Sequence, residues 1–358
     1  MKYYLFEASR NIGGSMTAGV KARCDVEDIL AAEGYSRMTI LQAEHPTDST
    51  VNKMRASREI GSQWRQLCAK LKAGDVLVIQ LPLSEHTLSF ASVIAKLKRK
   101  GVKTVAVVHD LEKFRNSKFN TSLIRGWKGR IRMYLEETAA LKHFDKMIVH
   151  NPRMAALVEN MGYRKDQIVS LDIFDYVIPQ EIPTERVGAP NGVIIAGNLS
   201  QGKAGYAYQL PSDESVTFSL YGVNYSGTAG GNIRYHGAFD PGILPFVLNG
   251  KFGLVWDGPL ADTCGGIHGE YLRINNPHKT SLYLASGFPV IIWKEAALAA
   301  FIQENGIGIC VSSLSEIPQA IAAVSQEEYA QMRHNVATIS PKLRSGHYLK
   351  TALHKCGH

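Results

Sequence analysis

No two of the five cysteines, Cys24, Cys68, Cys264, Cys310 and Cys356, form a CxxC pair, and they lie far apart. A disulfide framework and a zinc module are therefore not expected, and a reducing compartment is. No apolar run approaches the roughly 20 residues that span a bilayer. Residues 1–14 hold only a short strand-like run, too brief for the apolar core of a secretory leader. Together these absences predict a cytoplasmic protein. No two aspartates stand one residue apart, so a D-x-D metal motif is missing. The Gly-rich stretch NIGGSMTAG (11–19) is no P-loop, because Val20 and Lys21 stand where Lys and Ser/Thr are needed. Nor is it a dinucleotide fingerprint, since Gly13-Gly14 breaks G-x-G-x-x-G.

What is present is an alternation. The 358 residues suit about two domains. Strand-like runs at 2–6, 38–42, 75–81, 103–109, 146–150 and 167–174 alternate with helix-like spacing at 17–33, 52–72, 84–100, 130–143 and 152–161, with Ser84 as a candidate cap. The stretch 176–192 carries three prolines and no periodicity, and reads as a linker. The alternation restarts with strands at 192–197, 216–222, 252–258, 289–293 and 307–311 and helices at 278–286, 294–304, 315–324 and 326–338. Strands apolar on both faces that alternate with helices indicate doubly wound parallel sheets. The expected organisation is an α/β protein with a Rossmann-like domain at 1–175, a linker at 176–192 and a second Rossmann-like domain at 193–340. The tail, 341–358, reads as a final helix that could cross back to the first domain.

In such sheets ligands meet the carboxyl ends of strands. Asp110, after the strand 103–109, is a candidate general base or a helix cap. Asp257, after the strand in FGLVWDG, could accept hydrogen bonds from sugar hydroxyls or serve a turn. Lys203, in IIAGNLSQGKAGY, could neutralise a diphosphate or simply be solvated. The stretch INNPHKTSLYLASGFPVIIW (274–293) is the most informative. Its helix starts near Pro277, and a cation in the first turn opposes the helix dipole. Lys279 makes sense there if an anion sits at that N-terminus beside Thr280 and Ser281. The alternative is a solvated lysine; on the anion reading, Lys279→Ala weakens binding and leaves the fold intact.

GNL after the first strand of the second half, FGLVWDG, and then NNPHKTSLYLASGFPVI resemble, in that order, the bacterial β-1,6-galactofuranosyltransferase family and the related glucosyltransferase 3 enzymes that extend O-glycans on serine-rich adhesins. The resemblance includes NIGGSMTAG and so spans most of the chain. It implies a GT-B fold, two Rossmann-like domains facing a cleft, and transfer of a hexosyl unit, galactofuranose or glucose, from a UDP-sugar to a saccharide acceptor. It implies no metal and no further cofactor, and a homo-oligomer with less force. On this resemblance Asn198 and Lys203 lie on the donor side, Tyr221 and Gly222 border the nucleotide, and Asn276, Lys279, Thr280 and Ser281 hold the diphosphate. Gly13, Gly14, Thr17 and Asp110 face the acceptor, and Asp257 is placed with them. Two rival readings are a nucleotide-sugar epimerase of related architecture and a non-catalytic subunit of a glycosyltransferase complex.

The charge is lopsided: residues 1–175 hold 28 Lys and Arg against 19 Asp and Glu, and residues 176–358 hold 12 against 13. An anionic partner for the first half follows, or mere solubility. Nucleic acid is disfavoured, because no recognition module accompanies the charge. Residues 113–132 carry seven cations, no acid, and Phe114, Phe119 and Trp127 between them. That pattern suits contact with an anionic membrane, an active-site loop or another subunit.

Overall fold

The computed structural model describes residues 1–8, 18–44, 49–111, 138–183 and 191–358. The chain forms two compact units: Met1–Gly14, Val26–Leu171 and Lys350–His358 make the first, and Ser15–Asp25 with Asp172–Leu349 the second.

The first unit holds six parallel strands, β1 (Lys2–Glu7), β2 (Ser36–Ile40), β3 (Val76–Leu81), β4 (Lys103–Val108), β5 (Lys146–Val149) and β6 (Ile168–Ser170), in the order β2-β1-β3-β4-β5-β6. Among the described residues its helices are α1 (Ala18–Ala32), whose residues 18–25 belong to the second unit, α2 (Thr50–Lys70), α3 (Phe90–Arg99) and α4 (Pro152–Asn160). β3 is buried along its whole length, as a central strand covered on both faces must be. Trp64 of α2, Phe90 of α3 and Phe144 form an aromatic core, with ring centroids 5.3 and 6.3 Å apart. Side-chain caps start two helices: Ser49 accepts from Asn52 N, and Asn151 accepts from Met154 N with Pro152 in the first turn.

The second unit repeats the scheme with β7 (Gly192–Asn198), β8 (Thr217–Val223), β9 (Ile233–Tyr235), β10 (Phe252–Val255), β11 (Val290–Trp293) and β12 (Gly308–Val311), parallel, in the order β12-β11-β10-β7-β8-β9. Its helices are α5 (Gln201–Ala204), α6 (Leu244–Val247), α7 (Gly266–Tyr271), α8 (His278–Ala285), α9 (Ala299–Glu304), α10 (Ile317–Ala323) and α11 (Gln326–Arg344). A last helix, α12 (His347–Lys355), begins in the second unit and contributes Lys350–His358 to the first. Tyr283 of α8 lies flat on β10 because residue 253 is glycine: a Cβ there would sit 2.1 Å from the Tyr283 ring.

The structure differs from the sequence expectations at four places. The helix expected from residue 84 begins at Phe90, and the Ser84 and Glu85 N–H groups instead donate to Glu7 Oε1 at 2.9 and 2.7 Å. The carboxylate supplies a stronger acceptor than a first helical turn would. The last strand of the first unit stops at Ser170 rather than running to 174. β9, a three-residue edge strand behind Gly230-Gly231, is too short for an alternating pattern to show in the sequence. α11 continues through Pro341 to Arg344, because its buried face, Val336, Ile339, Ser340 and Leu343, continues past the proline. Among the described residues no helix is long and apolar enough to cross a membrane.

Candidate functional site

Strand order places the candidate site of the second unit. From β7 the chain proceeds outward to β8 and β9, then returns to β10, β11 and β12 on the other side. The carboxyl ends of β7 and β10 therefore flank a topological switch point, the place where open α/β sheets bind ligands. The ladder between these strands ends at Gly253–Ile194. Beyond it Ala196 N donates to the Tyr283 hydroxyl at 2.7 Å instead of to β10. The two strands thus part just before the site, and a side chain satisfies the freed N–H. The loops that follow are stitched together: Gly258 N donates to Lys203 O at 3.0 Å, and Tyr206 N to Gly258 O at 3.3 Å. Gly222 sits on the same rim, where a Cβ would lie 1.7 Å from Gly197 O.

Lys279 and Asp257, assigned from the sequence to opposite substrates, are partners. Lys279 Nζ donates to Asp257 Oδ1 at 2.9 Å and to Trp256 O at 2.8 Å, with the side chains 15% and 11% exposed. Burial lowers the Lys279 pKa, but the Asp257 carboxylate, with Tyr283 and Cys264 adding to it, makes the net shift upward. The structure therefore puts Asp257 beside Lys279, two positions beyond the end of β10.

The other residues read as diphosphate ligands hold the chain. Asn276 Nδ2 donates to Asp172 O at 3.1 Å, Ser281 Oγ to Phe174 O at 2.6 Å, and the His278 ring bonds Asp175 O at 3.1 Å. The start of α8 and the residue two before it thus gather three carbonyls of the irregular segment 172–175. Thr280 is fully buried, and its Oγ1 has no hydrogen-bond partner. Tyr221 is also internal: it stacks on His236 at 4.5 Å, and its hydroxyl accepts from Asn249 N at 3.1 Å. Only Gly222, next to it, reaches the rim. Asn198 is exposed at the end of β7, where its Oδ1 accepts from Ser200 N and from Asn224 Nδ2 at 3.0 and 3.2 Å. The half-buried Lys203 lies in the last turn of α5, which follows β7.

The glucosyltransferase 3-like N-terminal and C-terminal domain models match residues 7–173 and 193–356. The chain belongs to the glucosyltransferase 3-like family. The resemblance read from its motifs is thereby established. The β-1,6-galactofuranosyltransferase WbbI of Escherichia coli (strain K12) is 34% identical over 94% of this chain and 93% of its own. Glucosyltransferase 3 of Streptococcus parasanguinis is 23% identical over 96% and 95%. The Anabaena protein HepE, solved in complex with UDP, matches with a TM-score of 0.57 at 11% identity, covering 100% of both chains. The two-domain α/β architecture is the GT-B fold expected from the sequence.

In the first unit of this glucosyltransferase 3-like chain the switch point lies between β1 and β3. Glu7, buried at the end of β1, is the acceptor for Ser84 and Glu85 already described. Asp110 follows β4 and is half-buried. Its neighbour His109 bonds Gln80 Oε1 through Nε2 at 2.7 Å, Gln80 Nε2 donates to Glu27 Oε1 at 3.2 Å, and His150 Nε2 donates to His109 O at 2.9 Å. Glu7, Glu27, Gln80 and His150 were missed. The available signal was polar residues interrupting buried apolar strands, as Gln80 does in VLVIQL. Gly13, Gly14 and Thr17 lie outside the described residues.

The buried histidines make each unit acid-sensitive. Desolvation, aided by Lys21, pushes His278 down to about 3, against its bond to Asp175 O. The Asp25 carboxylate is 3.9 Å from His278 but is paired with Lys21. Burial likewise pushes His150 down to about 4, with Asp110 and two backbone bonds opposing. A histidine with a lowered folded-state pKa contributes stability above its unfolded value of about 6.5. That stability declines from pH 6.5 toward 3 for His278 and toward 4 for His150. Each should add a slope of up to about 1.4 kcal/mol per pH unit in that window. Chemical unfolding at stepped pH checks this, and a flat stability down to pH 4 would contradict it.

Proposed function

We propose that this glycosyltransferase moves a hexosyl unit, galactofuranose in the first instance, from a UDP-sugar to a saccharide acceptor on a lipid- or protein-linked glycan. The observation that carries the reading is the similarity to WbbI, which runs through both units rather than one. The parting of β7 and β10 at the switch point supports a nucleotide there. Backbone groups at that edge are the better candidates for the diphosphate, since Asn276, Lys279 and Ser281 already bind protein carbonyls or Asp257. The relatives named are transferases, which does not support the epimerase or the non-catalytic subunit.

Departure of UDP needs no metal in this proposal, charge being stabilised by oriented backbone donors and Lys203. The cation-rich segment 113–132, which lies outside the described residues, would bring the enzyme to the cytoplasmic face of an anionic membrane. One experiment addresses these points. UDP-hexoses are offered with glycan acceptors in solution and on anionic vesicles, with and without EDTA, and products are read by mass. Galactofuranosyl transfer that survives EDTA and is faster on vesicles is expected. Strict dependence on manganese or magnesium would overturn the metal-free reading, and equal rates in solution would overturn the membrane contact.

A further inference from the structure

The outer face of α2 is not the polar face that a sheet-packed helix usually shows to water. Its inner face, Ala56, Ile60, Gly61, Trp64, Leu67 and Cys68, is buried. At 3.6 residues per turn Val51, Met54, Arg55, Arg58 and Arg65 fall on the opposite side, and all five are exposed. Leu88 joins them. Its N–H donates to Ser57 Oγ at 3.2 Å, and Thr87 Oγ1 donates to Ser57 O at 3.0 Å, which ties the loop after β3 to α2 one turn beyond Met54. Leu41, after β2, is held on the other flank by Gln63, which accepts from Leu41 N at 2.8 Å. Val51, Met54, Leu88 and Leu41 are 51–60% exposed. Four of the eight large hydrophobic side chains exposed among the described residues therefore lie on or beside this one helix.

The charge next to them has one sign. α2 carries Lys53, Arg55, Arg58, Arg65 and Lys70 against a single acid, Glu59. The Glu59 carboxylate is turned to the flank, where it accepts from Glu44 N at 3.0 and 3.2 Å. Glu85, in the loop after β3, likewise accepts from Ala43 N at 3.3 Å. The backbone of loop 41–44 thus takes both carboxylates, and none stands among the cations and apolar side chains of the outer face. Another protein would have to offer carboxylates and apolar pockets at matching positions. An anionic bilayer supplies phosphates at one level and hydrocarbon just below it. Arginine stems can lie along that boundary while the guanidinium heads stay with the phosphates. The start of α2 and the loops after β2 and β3 belong to the carboxyl edge of the first sheet, the edge at which such sheets meet ligands.

We propose that the outer face of α2, with Leu88, docks the first unit on an anionic lipid surface. Val51, Met54 and Leu88 enter the head-group boundary, and Arg55, Arg58 and Arg65 hold lipid phosphates. This docking rests on the reading of a membrane-borne acceptor and gives it a second surface, separate from the segment 113–132.

The test is co-sedimentation of the full-length protein with vesicles of phosphatidylcholine alone, or of equal parts phosphatidylcholine and phosphatidylglycerol, at low and raised salt. The wild type should bind the anionic vesicles, bind the neutral ones at least about tenfold less, and lose affinity as salt rises. Arg55→Gln, Arg58→Gln and Arg65→Gln combined should weaken binding about 100-fold, roughly fivefold for each cation. Val51→Gln, Met54→Gln and Leu88→Gln combined should weaken it about tenfold and leave its salt dependence in place. Glutamine keeps helix propensity and these positions are exposed, so thermal unfolding of both triple variants should match the wild type. Arg125→Ser, Lys128→Ser and Arg130→Ser combined separate this surface from the other one. If only that variant loses binding, the α2 surface is wrong and the membrane contact of 113–132 stands. A wild type that ignores anionic vesicles at low salt overturns both. A dimer in sedimentation equilibrium that the Val51, Met54 and Leu88 variant dissociates, with vesicle binding unchanged, assigns the face to a second copy and also overturns the proposal.

Discussion

Lys279→Ala is expected to destabilise the second unit by about 3–5 kcal/mol, the usual penalty for breaking a buried ion pair by removing one partner. The mutation leaves Asp257 buried without its ammonium and Trp256 O without a donor. Asp257→Ala should cost a similar amount, while Lys279→Met with Asp257→Leu should recover most of it, because the charges are then removed together. Thr280→Val is the internal control. The Thr280 hydroxyl is buried with no hydrogen-bond partner, so replacing it with a methyl group should be neutral or stabilising. Differential unfolding of the two units, followed with UDP titration below the transition, checks all four variants. If Lys279→Ala unfolds like the wild type and loses only UDP affinity, the pair is not structural and the lysine is a diphosphate ligand, as the sequence suggests.

Gly222→Ala should be comparably severe and should strike the rim of the same site. The new Cβ would stand 1.7 Å from Gly197 O, a contact that no rotamer change relieves because both atoms are fixed to backbone. Gly222 also has φ 155°, outside the range that alanine favours. Its N–H donates to Gly237 O at 2.8 Å and its carbonyl accepts from the Tyr235 hydroxyl at 2.8 Å, so the residue cannot swing aside without losing both. Strain and overpacking together come to about 3–5 kcal/mol. Gly197→Ala provides the contrast. Nothing lies within 4 Å of a Cβ at position 197, so only its φ of 134° resists, at about 1–3 kcal/mol. Thermal unfolding and the UDP-induced shift measure both variants. Equal losses for the two would mean that the approach of β7 and β8 at Gly197–Gly222 is not limiting.

Local pattern determined a good deal. Strands apolar on both faces, such as VLVIQL and VIIW, that alternate with helices suit the inside of a parallel sheet, so two doubly wound units are legible in the sequence. Pro277 and Gly287 marked both ends of α8, because proline suits a helix start and glycine adopts the φ of 87° that follows its end. The order of GNL, FGLVWDG and NNPHKTS pointed to the family. Partners distant in the chain were decided only by the tertiary structure. From the sequence Lys279 is a misplaced cation at a helix start; in the fold an aspartate 22 positions earlier faces it, and the charge is compensated within the protein. Asn276 and Ser281 carry the groups a diphosphate needs, but the segment 172–175, more than 100 positions away, takes their hydrogen bonds. His109 looks like any strand-end histidine until the fold links it by hydrogen bonds to Gln80 and, through Gln80, to Glu27, 29 and 53 positions apart along the relay. Periodicity records which face of an element is buried, since that depends on neighbours three or four residues away. Hydrogen-bond direction depends on which groups the fold brings within about 3 Å, and no local pattern carries that.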